Sequence, residues 1–368
     1  MAAPFCFAQN PFPGEPPAAS QPQQSQNPFP GEPPATQQQQ QQQQQAVSHD
    51  VTASQIEPPT IRVNTSVVLV PTLVEDHSGQ VIYALKPSDF LVYDNGIQQK
   101  VHVDEEMDTD PVSLVVCIQR SRDATMEFDK FAHLGPLLQL FTGGNDGEAA
   151  LVIFDSKPVY LEGFQQDTSY IERDLQQLPE GDGGAAILDA VGFSLNLLEQ
   201  RPLDHRRVLL LISETRDHGS HSMTIPQLVE RIGVSNTLVF SVSFSPSKAE
   251  FMDWGKGHGG GAGDLNLLGP VLMAVNAMRR NVPRTLAEMS GGEYEPFARE
   301  RAFEDRIEEA ARHAHNRYIL SFYPNDPTPG LHTLQVKLTQ DYDARIVARA
   351  NYWAVNDAAA KPVSPASK

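Results

Sequence analysis

No apolar run in this sequence approaches the roughly 18 residues that a membrane-spanning helix requires, and nothing in it reads as a transmembrane segment. Cysteine is nearly absent, with two in 368 residues. Cys6 lies in a Pro/Gln-rich start and Cys117 inside an apolar run, so a disulfide framework is excluded and Cys117 reads as a small core residue. Positive charge is in short supply, 28 Lys and Arg against 46 Asp and Glu for a net −18. With no basic stripe to track phosphates, nucleic acid and anionic membrane surfaces are poor partners for such a chain. The marks of common enzymes are missing as well. There is no Gly-x-Ser-x-Gly elbow and no pair of carboxylates placed for glycoside or acyl chemistry. The glycine-rich Trp254–Gly263 stretch lacks the Gly-Lys-Ser/Thr ending of a phosphate loop, and reads as a crossover loop in which Trp254 is an anchor for a partner. These absences together describe a non-enzymatic chain.

What is present divides into blocks. Residues 1–57 form a low-complexity tail in which Gln9–Ala18 repeats as Gln26–Ala35, followed by the glutamine tract Gln37–Gln45. Such a segment buries too little apolar area to offset its ordering entropy, so a disordered spacer is expected, with the duplicated Pro-Phe-Pro as a possible docking peptide. Met1–Gln9 has a short apolar stretch and an Ala8-Gln9 junction without the basic start of a secretory signal. From Ile61 the pattern turns to β alternation. Strands are expected in Val67–Val74, Val81–Leu85 and around Asp89–Gly96, where Asn95-Gly96 between apolar runs is a hairpin signal. A second β block covers Arg317–Tyr323, Leu331–Leu338 and Ala344–Val355, with 356–368 a flexible end. Neither block alone has strands enough to close a core, so 61–104 and 317–355 are expected to pack as one small β-sandwich.

Between them, residues 111–316 alternate strand and helix. Strands are expected at Leu114–Ile118, Glu148–Phe154, Val159–Phe164, Val208–Ile212, Thr237–Phe244 and Glu293–Phe297. Helices are expected at Met126–Phe141, Ala185–Leu198, Ile225–Val234, Leu265–Arg279, Pro283–Met289 and Arg301–His315. The fold class is therefore α/β, a doubly wound and mostly parallel six-stranded sheet, inserted in the sandwich. A sheet of this kind puts its ligand outside the carboxyl ends of its strands. There the buried run Val115–Ile118 gives way to Gln119-Arg120-Ser121-Arg122-Asp123, two cations and one carboxylate, poor company for a divalent metal and suitable for an acidic group.

Several strings carry a resemblance. In order they are Val68-Leu69-Val70-Pro71, Asp89–Gly96 with Gln98, Gly183–Ala190, Leu286–Gly292 and Arg317–Pro324. Together with the element order, they resemble the von Willebrand factor type A fold and the bacterial VWFA-related family most familiar from acidobacteria, over residues 61–355. In metal-dependent members an Asp-x-Ser-x-Ser loop, a Thr and a late Asp hold Mg²⁺, a hard cation that takes oxygen ligands. By that resemblance the first Asp falls at Gln119, the two Ser at Ser121 and Asp123, the Thr at Ala185 and the late Asp near Glu214, so only Ser121 is kept. An arginine about 4 Å from a cation costs on the order of several kcal/mol at an effective dielectric near 20. The expectation is a degenerate, metal-free site with no cofactor, in which Arg120 or Arg122 pairs with Glu214.

Gln119, Arg120, Ser121, Arg122, Asp123, Glu214 and Trp254 are then the candidate protein-binding residues, on loops 119–125, 182–186, 214–221 and 245–264. A Mg²⁺-dependent adhesion domain using Ser121, Asp123 and Glu214, and a structural scaffold of the envelope, remain as alternatives. His218 and His221, beside Glu214 and Asp217, have the residue types of a transition-metal site but the setting of a solvated loop. Asp189 is read as supporting the loop ahead of its helix. The resemblance implies an extracytoplasmic, periplasmic or secreted, location.

Overall fold

The computed structural model describes residues 67–104, 110–120, 134–143, 146–178, 181–244, 269–297, 300–326, 328–340 and 342–355. The first block supplies β1 (Val68–Asp76), β2 (Phe90–Asp94), β3 (Ile97–Gln99) and β4 (His102–Asp104). β2 and β3 pair antiparallel around Asn95 and Gly96, at φ 48° and 82°, the two positive values that a type I′ turn demands. The strand expected over Val81–Leu85 does not form. Val81 makes a single bridge to Glu75, and Ala84 at φ 63° breaks the extended run that a strand needs.

The middle of the chain builds β5 (Val112–Gln119), α1 (Leu134–Thr142), β6 (Glu148–Phe154), β7 (Pro158–Gln165), α2 (Ser169–Gln176), α3 (Ile187–Glu199) and β8 (Arg206–Ser213). It continues with α4 (Ile225–Val234), β9 (Leu238–Ser243), α5 (Gly269–Arg280), α6 (Val282–Ser290), β10 (Tyr294–Pro296) and α7 (Glu300–His315). The strands form one six-stranded sheet in the order β10-β9-β8-β5-β6-β7, parallel except for the edge strand β7. Every residue of β5 is buried, as a central strand covered on both faces should be. Leu114, Val116 and Ile118 face a core shared with α1, α2 and α7, while Val115 and Cys117 face one shared with α3, α4 and α6. Burial pushes the Cys117 thiol up to about 12, so it behaves as a packing residue.

The helix ends are written locally. Thr224 and Gln227 make a capping box at the start of α4. Asn281 caps α6 through Arg284 N at 2.9 Å, and Gly291 closes that helix at φ 88°. At Gly292 a Cβ would meet Val239 O at 1.9 Å, so only glycine lets this turn lie on β9. Among the described residues no helix is long and apolar enough to cross a membrane.

The last block gives β11 (Tyr318–Phe322), β12 (Gly330–Leu338), β13 (Ala344–Ala348) and β14 (Asn351–Ala354). These interleave with the first block in two four-stranded sheets, β13-β1-β11-β4 and β14-β12-β2-β3. Val70, Val74, Leu320 and Phe322 from one sheet meet Phe90, Val92 and Tyr352 from the other in a shared apolar cluster. The single strand expected over Ala344–Val355 is divided between the two sheets at Arg349. That side chain turns inward, 3% exposed, and its Nη2 donates to Gly233 O at 2.6 Å and Ser235 O at 3.1 Å. A cation at the carboxyl end of α4 satisfies carbonyls that the helix leaves unpaired.

Candidate functional site

β5, β6 and β8 are neighbours and end on the same edge of the sheet, which brings Gln119, Asp155 and Glu214 together at their carboxyl ends. Gln119 is fully buried. Its Nε2 donates to Glu214 Oε1 at 2.9 Å and its Oε1 accepts from Glu214 N at 2.9 Å, a reciprocal pair across two adjacent strands. His218 Nε2 lies 2.6 Å from the same Glu214 oxygen. Of the two arginines expected to pair with Glu214, Arg120 does not, and Arg122 lies outside the described residues. Arg120 Nη2 sits 2.6 Å from Asp155 Oδ2, while its own backbone N–H donates to Phe154 O at 2.6 Å. By the β5–β6 register Arg120 faces the acid that succeeds Phe154, whereas on the β8 side Gln119 follows the Ile118–Ile212 pair, level with Ser213, and its side chain reaches one residue further to Glu214.

The neighbouring loop is fitted closely to this pair. Gly183 sits at φ 85°, and at Gly184 a Cβ would lie 2.2 Å from Ser156 Oγ. Asp182 accepts from Gly184 N at 2.9 Å and Ser156 N at 3.2 Å, and these bonds hold its carboxyl below the usual range. Ala185 is fully buried and exchanges two 2.9 Å backbone hydrogen bonds with His218, which stitches 182–186 to 214–221. Asp217 Oδ1 accepts from Leu188 N at 3.0 Å and so caps α3 from another loop. Asp189 receives the backbone N–H groups of His221, Ser222 and Met223. It therefore supports the loop after β8 and not the loop ahead of its own helix, because its side chain projects back along α3 toward that loop.

Of the acids around His218 and His221, Asp189 and Asp217 accept from backbone N–H groups and Glu214 from Gln119, and no group of three or more His, Cys, Asp or Glu among the described residues is gathered for a metal ion. The face left to solvent carries His218, whose side chain is 55% exposed, and Arg216, beside a partly covered Glu214. Of the candidate residues, Gln119, Arg120 and Glu214 lie in this cluster. Ser121, Arg122, Asp123 and Trp254 lie outside the described residues, as does the loop 245–264. The sequence reading missed Asp155 and did not single out Asp182 within the 182–186 loop, while His218, read there as a solvated loop histidine beside Glu214, contacts that acid. An acid directly after the β6 run, at the same strand end as Gln119, is the one signal that points to Asp155.

No family model matches the chain, and no curated protein matches it. Among solved structures, it is similar to an aerotolerance-related membrane protein from Bacteroides fragilis, with 12% identity and a TM-score of 0.37 over 55% of this chain and 98% of that one. It is also similar to a von Willebrand factor type A protein from Catenulispora acidiphila, with 10% identity and a TM-score of 0.39 over 80% of this chain and 76% of that one. A third is the conserved hypothetical protein BatB from Bacteroides thetaiotaomicron, 11% identical at a TM-score of 0.36 over 55% and 99%.

Proposed function

We propose that this chain is a non-enzymatic protein-interaction module of the VWFA-related type. In this reading an α/β domain at 111–316, inserted in a β-sandwich built from 61–104 and 317–355, offers its strand-end loops to a protein partner without a metal. The observation that carries it is the Gln119–Glu214 pair. Where the resemblance calls for oxygens held open around a cation, Gln119 presents an amide whose donor and acceptor both engage Glu214. Ala185 presents a buried methyl, and Asp155 already carries the Arg120 guanidinium. Among the described residues this donor set does not fit Mg²⁺, which needs near-octahedral oxygen ligands, and Ser121 and Asp123 lie outside them. A direct contact between adjacent strand ends takes over the cross-linking that a metal would provide, and it leaves Arg216 and His218 as the exposed recognition groups.

The test combines titration calorimetry with partner capture. The expected outcome is no micromolar heat with Mg²⁺ or Mn²⁺, and capture that chelator leaves unchanged but Arg216→Glu with Arg120→Glu removes. Micromolar binding that Ser121→Ala abolishes would establish the metal-dependent alternative. Capture indifferent to the charge reversals would favour a scaffold whose loop face is silent.

A further inference from the structure

In the sheet β14-β12-β2-β3 one histidine faces an oxygen at each of its ring nitrogens. His332 of β12 is buried, as is Asp94 of β2. The ring's Nδ1 lies 2.8 Å from Asp94 Oδ1, and its Nε2 lies 2.6 Å from the backbone oxygen of Thr328, four residues earlier. Tyr352 of β14 stands across the ladder, its ring centroid 4.8 Å from that of the imidazole. Tyr352 Oη donates to Asp94 Oδ2 at 2.8 Å, so toward His332 Nδ1, 3.0 Å away, that hydroxyl offers lone pairs. Burial first, and then the Asp94 charge, hold the Tyr352 phenol well above its usual range, so it keeps its proton while the imidazole titrates. Asn95 Nδ2 lies 3.1 Å from the same Nδ1, and its amide is oriented by an Oδ1 that accepts from Thr333 N at 3.0 Å.

A carboxylate and a carbonyl can only accept, so both contacts are hydrogen bonds only when each ring nitrogen carries a proton. The ring is then an imidazolium, and its charge balances Asp94 inside the sheet. Burial alone would lower it, but the bonds to Asp94 and Thr328 and the charges of Asp94 and Asp326 outweigh burial and raise His332 above its ordinary 6.5. The doubly bonded state is therefore complete below 6.5 and is lost as pH rises through the higher folded value. A neutral ring has one proton for two oxygens. Asp94 carries a full charge and retains it at Nδ1, so the Thr328 oxygen loses its donor. That oxygen belongs to the connection from β11 to β12, which passes from one four-stranded sheet to the other. In the same connection Asn325 N–H donates to Gln99 Oε1 of β3 at 3.1 Å. One proton on His332 thus holds the link between sheets and, through it, the edge strand β3.

We propose that His332 is a proton-operated clasp, which as an imidazolium fastens the β11–β12 connection against the end of the β14-β12-β2-β3 sheet and as a neutral imidazole releases it. NMR on the full chain tests this by titrating the His332 ring between about pH 5 and about pH 9. The exchange protection of the Asn325 N–H, corrected for the intrinsic pH dependence of exchange, is followed alongside. The expected result is a His332 midpoint above 6.5, an Nδ1–H tautomer beyond it, and Asn325 protection that falls severalfold across the same midpoint. His332→Gln, whose amide cannot become a cation, should hold Asn325 at or below the high-pH protection of the wild type throughout. His77→Gln, which removes the exposed His77–Asp343 pair, should leave the step in place. The proposal is overturned by a midpoint at or below 6.5 or by Asn325 protection indifferent to pH. A neutral ring that keeps its Nε2 proton on Thr328 and accepts from Asn95 at Nδ1 overturns it as well, as does a step that survives His332→Gln. Should His332→Gln fail to fold, the wild-type titration decides by itself.

Discussion

Gln119 engages Glu214 with both ends of its amide, and this makes it the most sensitive to substitution of the candidate residues. Replacing it with Ala leaves the Glu214 backbone N–H without its acceptor and takes one donor from the Glu214 carboxylate. An unsatisfied buried polar group costs about 1–3 kcal/mol, so Gln119→Ala is expected to lower stability by about 2 kcal/mol in urea denaturation, with the slope unchanged. A loss under about 0.5 kcal/mol would mean the pair contributes little. That Gln119 ends the buried β5 run at the strand-end face was legible in the sequence, but its partner was not. Gln119 and Glu214 are 95 residues apart, and the flanking arginines offered a stronger electrostatic match for Glu214. Register carries Arg120 past the Gln119–Phe154 pair to Asp155 instead, while Arg122 lies outside the described residues.

Helices and strands were the most readable level, because each carries its own period and punctuation. α4 begins and ends where Thr224, Gln227 and the apolar spacing put it. The short helix α2 was missed, as Ser169–Gln176 is largely polar and has too few apolar positions to reveal a period. Arg349 was missed for a different reason. Nothing in an alternating β run announces that one residue will leave the ladder to serve the end of a helix more than a hundred positions earlier. The Gly291-Gly292 turn shows a motif whose cause became visible only in three dimensions. Gly292→Ala drives a methyl into the Val239 carbonyl, and β9 or α6 must shift. The expected loss is about 3 kcal/mol or more by thermal or urea unfolding; an unchanged midpoint would contradict the close approach.

Over the whole molecule, buried charge connects the β13-β1-β11-β4 sheet with the α/β layer, His313 lying 3.7 Å from Glu75 of β1. Arg317, at the start of β11, holds Glu293, which also meets His313 Nδ1 at 2.9 Å, and Arg345 Nη1 holds Glu75 at 2.6 Å. Burial alone would raise Glu293, but His313 and Arg317 outweigh it and keep the carboxyl below its ordinary 4.5. Its contribution is present above that value and is lost as pH falls through the lower folded one. Glu295 behaves oppositely. Burial raises it to about 8, with Arg306 opposing. The folded state then holds a proton that the unfolded chain has released, so stability declines as pH rises from about 4.5 to about 8. Glu295→Gln removes this titration and should flatten the decline measured by urea unfolding at stepped pH. An unaltered profile would place the titration elsewhere.

β4 and β11 lie side by side, Asp104 opposite Ile319 and His102 opposite Ser321. The chain therefore leaves this ladder and returns to it at the same point, and everything between is a closed excursion. The backbone ladder is thus continuous past the excursion, while Arg317 on Glu293 and Arg349 on Gly233 and Ser235 still fasten the α/β layer to it, so a pull between β1 and β14 reaches that layer through those side chains and not through its own strand ends.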